Sequence, residues 1–365
     1  MSKTRFLGIE FGRGLSTYAV ILVHSGDETW GLPISSTAVE FRHLFYFAVP
    51  FFLATAFYFV TTKFEIGYSR KFWQSRVERI LIPYVTWSVL FLISRVIVFT
   101  LTHKPDRVQQ LLQDPLSLVF MGGASYHLYF LPLLFAGTAL TLLMPLLDRL
   151  KVRGYRLGLI SMLGVSLYWL LEATGNSFQL GEDVAFEKLL VAWGINFEQY
   201  PGLRLVMVEV AWVIRCLPYF LISLSLNWHP QQMKYLLAKI QPIRWITLFV
   251  LCNLLGRKFL PGALSELLLA YSLLFSCISV SNYFAVSFSE RFIISVGACS
   301  FGIYLIHPFI MNTVKPVVTH LWSDTSSAVS VASMLVISIP TFLFSWLLVA
   351  YLAKSKNKFK HWLGV

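Results

Sequence analysis

Residues 13–24 read RGLSTYAVILVH. An arginine and a histidine bracket a run of mostly lipid-compatible residues. At about 100° per residue, eleven positions make close to three helical turns, so Arg13 and His24 share one face. Their axial separation is roughly 16 Å. Both groups are costly in lipid, so this face belongs against a protein interior or a wet cavity. Two readings stand. In one, the residues form a buried polar pair, or the arginine snorkels to one interface and the histidine sits at the other. In the other, they are an anion clamp and a general base at two depths of one passage. Histidine suits the second role because it titrates near neutrality. Asp27 and Glu28 follow His24 by three and four residues. Either orients the imidazole if the helix continues that far; otherwise both lie in an exposed loop.

The rest of the chain explains why this helix is read as a membrane span. Of 365 residues, 56% are hydrophobic and only 13% charged, whereas soluble domains are closer to a quarter charged. The 31 Phe, 16 Tyr and 11 Trp suit a bilayer protein with interfacial aromatic belts. Ten apolar stretches are long enough to cross: approximately 7–25, 42–62, 80–102, 127–147, 155–174, 204–226, 241–256, 262–284, 292–314 and 327–352. The seventh is the weakest, being short and closely followed by Arg257 and Lys258. The first contains Glu10 and Arg13 and has no small-residue cleavage site after it, so it reads as a helix rather than a signal peptide. The expected fold is an all-α polytopic membrane bundle, one transmembrane domain over 1–365 without an appended soluble domain.

The net charge of +12 comes from basic residues in short loops, which argues for membrane orientation rather than nucleic acid. Lys63, Arg70, Lys71, Arg76 and Arg79, then Arg149 to Arg156, then Lys354 to Lys360 fall on the side of the N-terminus. Arg42, Lys104, Arg107, Lys188, Arg204, Arg257, Lys258 and Lys315 fall on the other. This contrast puts both termini in the cytoplasm. The four cysteines lie inside apolar runs without a C-x-x-C pair, so no metal is expected.

Arg76-Val-Glu-Arg79 opens the third span at its cytoplasmic end. Arginines three apart on an α-helix share a face, and two planar forks suit a phosphate; ordinary anchoring explains such a pair as well. SYHLYFLPLL puts His127 at the outer end of the fourth span. SFGIYLIHPFI puts His307 deep in the ninth, ahead of Pro308, a site for a kink. Either histidine is equally a satisfied packing residue.

Together these stretches resemble the acyltransferase family 3 membrane proteins. The family's R-x10-H pattern falls on Arg13 and His24 of EFGRGLSTYAVILVH, and its R-x-x-R on Arg76 and Arg79 of RVERILIPY. VPFFLATAFYF, HLYFL and SFGIYLIHP resemble further signatures. Ala54-Thr55-Ala56-Phe57 stands where many members read S-G-F or S-G-Y.

The resemblance implies transfer of an acyl group, usually acetyl, from an acyl-coenzyme A to a hydroxyl of a carbohydrate. That acceptor is an exopolysaccharide, an O-antigen or another cell-envelope glycan, free or lipid-linked. It implies a bacterial-type inner membrane and no bound metal. Arg13, Arg76 and Arg79 would hold the donor's phosphates, with acetyl-CoA as co-substrate. The pantetheine arm could then cover the roughly 16 Å from Arg13 to His24. His24 would be the base, with Asp27 and His127 in supporting catalytic roles. Glu10, Tyr129, Tyr304, His307 and Trp193 are the expected acceptor contacts. The rival reading from another class is a polytopic transporter of an anionic or glycan-related substrate.

Overall fold

The computed structural model describes residues 6–26, 33–62, 69–175, 184–196, 199–281, 287–321 and 328–354. In chain order its helices are α1 (Leu7–Ser25), α2 (Ser36–Thr61), α3 (Arg70–Leu101), α4 (Pro105–Leu112), α5 (Phe130–Arg149), α6 (Tyr155–Ala173), α7 (Glu187–Ala192), α8 (Pro201–Trp228), α9 (Pro230–Lys239), α10 (242–259), α11 (Gly262–Val280), α12 (Ser287–Leu321) and α13 (Val331–Lys354). A turn at 44–47 interrupts α2. An isolated β-bridge joins Ile34 to Val329.

Eight helices, α2, α3, α5, α6, α8, α11, α12 and α13, are long and apolar enough to cross a membrane. The protein is an all-α polytopic membrane bundle. The sequence expectation was ten spans. The other two places, α1 and α10, are also helical but more polar. Three glycines, Glu10 and Arg13 dilute α1, and Arg244, Arg257 and Lys258 dilute α10.

The chain divides into two compact units. The first comprises Met1–Thr55, Lys234–Leu260 and Ser265–Val365. In it α1 runs parallel to α12. Thr17 Oγ1 donates to Ser300 O at 3.5 Å, the space beside Gly297 is filled by Glu10, and the rings of His24 and His307 lie 6.0 Å apart. α13 runs the opposite way: Tyr18 Oη and Ser338 Oγ share a 3.2 Å hydrogen bond, and Ser25 Oγ donates to Met334 O at 3.1 Å. α11 is likewise antiparallel to α1: Gly8 N–H donates to Ser281 Oγ at 3.1 Å, and one turn on, Gly12 faces Cys277 Sγ. The contact is close enough that a Cβ on Gly8 would fall 1.7 Å from Cys277 O. Small residues at helix contacts let backbones approach where lipid offers no hydrophobic drive. α10 pairs antiparallel with α11, with Trp245 and Phe275 4.7 Å apart at one end and Gly256 against Ser265 at the other. Its far end meets the turn of α2, where Asn253 Nδ2 donates to Leu44 O at 2.9 Å.

The second unit comprises Ala56–Met233 and Pro261–Leu264. α8 is its central element, packed along α6 and α5. Its polar groups are used locally. Asn227 Nδ2 donates to Tyr58 O at 2.8 Å and Thr61 Oγ1 at 2.7 Å. Arg204 pairs with Asp114. Glu172 Oε2 accepts from the Ala263 N–H at 2.7 Å, capping the start of α11. The four cysteines are buried and form no disulfide among the described residues.

Candidate active site

In the first unit the face read from RGLSTYAVILVH is helical throughout, so Arg13 and His24 do project from one side of α1. Arg13 is half-buried, and its Nη1 lies 3.5 Å from Glu10 Oε2, one turn back. The polar pair at this end is therefore Glu10 with Arg13. Glu10 fits only because Gly297 carries no side chain: a Cβ there would sit 2.3 Å from Glu10 Oε2.

At the other end His24 is half-buried and its ring stacks on that of His307, 6.0 Å between centroids and 23° between planes. His307 is fully buried. Its Nδ1 lies 2.7 Å from Tyr304 O. A carbonyl oxygen only accepts, so Nδ1 carries the proton. Buried Tyr304 sits 6.1 Å from the His307 ring. Three of the residues expected at the acceptor end, His24, His307 and Tyr304, are thus brought together. The helix end that carries His24 is tied down twice more. Ser25 donates to Met334 O, and Arg42 Nη1 donates to Gly26 O at 3.1 Å. α1 ends at Ser25 with Gly26 as its cap; Asp27 and Glu28 lie outside the described residues.

Arg76, Arg79, His127, Tyr129 and Trp193 belong to the second unit. The local helix differs from the sequence expectation. Val77–Leu81 forms a π turn inside α3, whose hydrogen bonds close one residue later than in an α-helix. Positions three apart are rotated further from each other there than on an α-helix. Arg76 is half-buried with its guanidinium 5.0 Å from the Phe72 ring centre, and Arg79 is exposed. Short stretches of π-helix occur often at functional sites.

His127 lies in the turn before α5 rather than on the helix, and it is buried. Its Nδ1 shares a 3.1 Å hydrogen bond with Ser125 Oγ, and Phe91 meets its ring edge-on at 5.2 Å. Two side chains of α3 hold this turn. Arg95 Nη1 donates to Ala124 O at 3.3 Å, while Tyr84 Oη donates to Val119 O at 2.9 Å and accepts from Gly122 N–H at 3.0 Å. Gly122 has φ +81°, and a Cβ there would lie 2.3 Å from Tyr129 N. Tyr129 is half-buried in the same turn. Trp193, just past α7, is 68% exposed, so its ring face is open to a ligand or a headgroup. Ser25, Arg42 and Tyr84 as supports were missed by sequence reasoning. Arg95 alone carried a signal, as a charge inside an apolar run.

No group of three or more His, Cys, Asp or Glu side chains with metal-binding geometry occurs among the described residues.

This is a multi-pass membrane protein with a histidine-centred polar site inside a helix bundle. The chain matches the family described as an acyltransferase domain, acyltransferase family 3, over residues 6–350, and it belongs to that family. No curated protein matches it significantly, and no solved structure does. The chain is accordingly a membrane acyltransferase.

Proposed function

We propose that the protein moves an acyl group, acetyl in the family's usual pattern, from cytoplasmic acyl-coenzyme A to a hydroxyl of a cell-envelope carbohydrate. The observation that carries this reading is the packing of His24, half-buried and stacked on buried His307, on the same helix face as Arg13. His24 takes the proton of the acceptor hydroxyl as its oxygen attacks the thioester carbonyl. The carbon–sulfur bond breaks and coenzyme A leaves as its thiolate, which takes up a proton. General-base assistance of this kind is worth about 10²–10⁴-fold. Arg13, Arg76 and Arg79 hold donor phosphates through charge-assisted hydrogen bonds. His127 and Tyr129 form a buried polar turn of the second unit and are assigned to acceptor or oxyanion contact. Glu10 serves Arg13, Trp193 offers a face for a sugar ring, and Asp27 is assigned to orienting His24.

This chemistry needs the donor and acceptor to arrive from opposite sides, with both chain termini in the cytoplasm of a bacterial-type inner membrane. Helix parity supports that topology. Parallel α1 and α12 require an odd number of crossings between them. Six of the eight apolar helices lie between: α2, α3, α5, α6, α8 and α11. α10 supplies the seventh. Its 18 residues, 242–259, reach about 27 Å, close to the hydrocarbon thickness of about 30 Å.

The test is acetyl-CoA consumption by the purified protein, together with mass spectrometry of envelope glycans from cells with and without it. The reading predicts an acetylated glycan and turnover that both vanish in His24→Ala. Turnover that survives that substitution, or uptake of a solute without thioester cleavage, contradicts it.

A further inference from the structure

α12 continues without a break through Pro308, and that proline has a specific consequence for the site. Proline has no N–H, and its ring crowds the carbonyl four residues earlier. In α12 that carbonyl belongs to Tyr304, so the backbone leaves Tyr304 O without its ordinary helical donor. The 2.7 Å contact from His307 Nδ1 goes to this same oxygen. The histidine side chain replaces the missing backbone donor. In lipid such a freed carbonyl must be satisfied locally, so the imidazole is held to it.

We propose that Pro308 is a positioning residue for catalysis. It hands the Tyr304 carbonyl to His307, which fixes both the ring orientation and the tautomer of that histidine. With Nδ1–H committed to the carbonyl, neutral His307 presents an Nε2 lone pair and no second donor. Its fully buried ring, 0% exposed and stacked on His24, makes a second charge at this spot costly. The proton taken from the acceptor therefore stays on half-buried His24, and His307 acts as a fixed, neutral wall that sets the His24 ring plane. Tyr304, His307 and Pro308 are one device, and the dipeptide His-Pro is its sequence signature.

The proposal rests on acyl transfer at His24, but two of its readouts do not. In 15N spectra of histidine-labelled protein, with His307 assigned by difference from His307→Asn, the wild type is expected to show protonated Nδ1 and bare Nε2. Pro308→Ala restores a backbone donor to Tyr304 O and should release His307 into a tautomer mixture. The same change adds a helical hydrogen bond, so the melting temperature should stay level or rise. Meanwhile kcat should fall about tenfold at an unchanged KM for acetyl-CoA. His307→Asn separates the structural role from the positioning role. Its side-chain amide can still cap the Tyr304 carbonyl but offers no ring to His24, so kcat should fall by a similar factor. Wild-type kcat in either variant overturns the proposal, as does an Nε2-protonated His307. Absence of any acyl transfer by the wild type, with the expected tautomer intact, would sink the acyltransfer chemistry at His24 and leave the proline device standing.

Discussion

Two regions carry the candidate chemistry, and they are built differently. Around α1 the backbone is locked: Gly8 admits no side chain, Glu10 fills the space left by Gly297, and the helix end at His24 is held by Ser25 and Arg42. At the start of α3 the helix widens into a π turn. A π turn separates Arg76, lying over Phe72, from exposed Arg79. General-base catalysis needs atoms placed within fractions of an ångström, whereas holding phosphates needs charge within reach. The closely packed region suits the first task, and the exposed cation of α3 suits the second.

The sharpest way to break this contrast is His24→Ala. The account expects kcat to fall about 10²–10⁴-fold with the fold intact, measured as thioester cleavage alongside a thermal melt. A melt that collapses with the activity would make His24 a packing residue. Next in size is Gly8→Val, which forces a side chain into the Cys277 carbonyl. Overpacking of this kind costs about 1–3 kcal/mol, read as a lowered unfolding midpoint in detergent. A comparably bulky change at the exposed position Arg79 should leave the midpoint where it was. Arg76→Gln should raise KM for acetyl-CoA about tenfold, the worth of one charge-assisted contact, with kcat nearly unchanged. Arg79→Gln should do less, since its side chain is exposed. Equal effects would mean that the π turn does not separate the two roles. The smallest effect belongs to Tyr84→Phe. It removes the acceptor of the Gly122 N–H and should cost about 1 kcal/mol, seen as faster amide hydrogen exchange at residues 122–129.

Much of this was legible in the sequence, for identifiable reasons. Long apolar runs announce membrane helices because the bilayer admits few other backbones. The R-x10-H spacing gave one helix face because α1 stays α-helical from end to end. The π turn at Val77–Leu81 went unread, because it is a local departure that periodicity does not encode. α1 and α10 fell short of the apolar helices for a related reason. Their glycines sit at helix contacts, and these together with their charges lower the hydropathy that marks a span. The partnership of His24 with His307 joins residues far apart in the chain, so spacing could not reveal it. The His-Pro dipeptide was readable, since a proline frees the carbonyl four residues back, and only the side chain that claims it needed coordinates.

The most direct test of the central claim is a single turnover with radiolabelled acetyl-CoA and a carbohydrate acceptor, quenched over time, for wild type and His24→Ala. The account predicts that label passes to the acceptor without accumulating on the wild-type protein, and that the variant transfers almost none. Label retained on the wild-type chain, or transfer by His24→Ala at the wild-type rate, would contradict it.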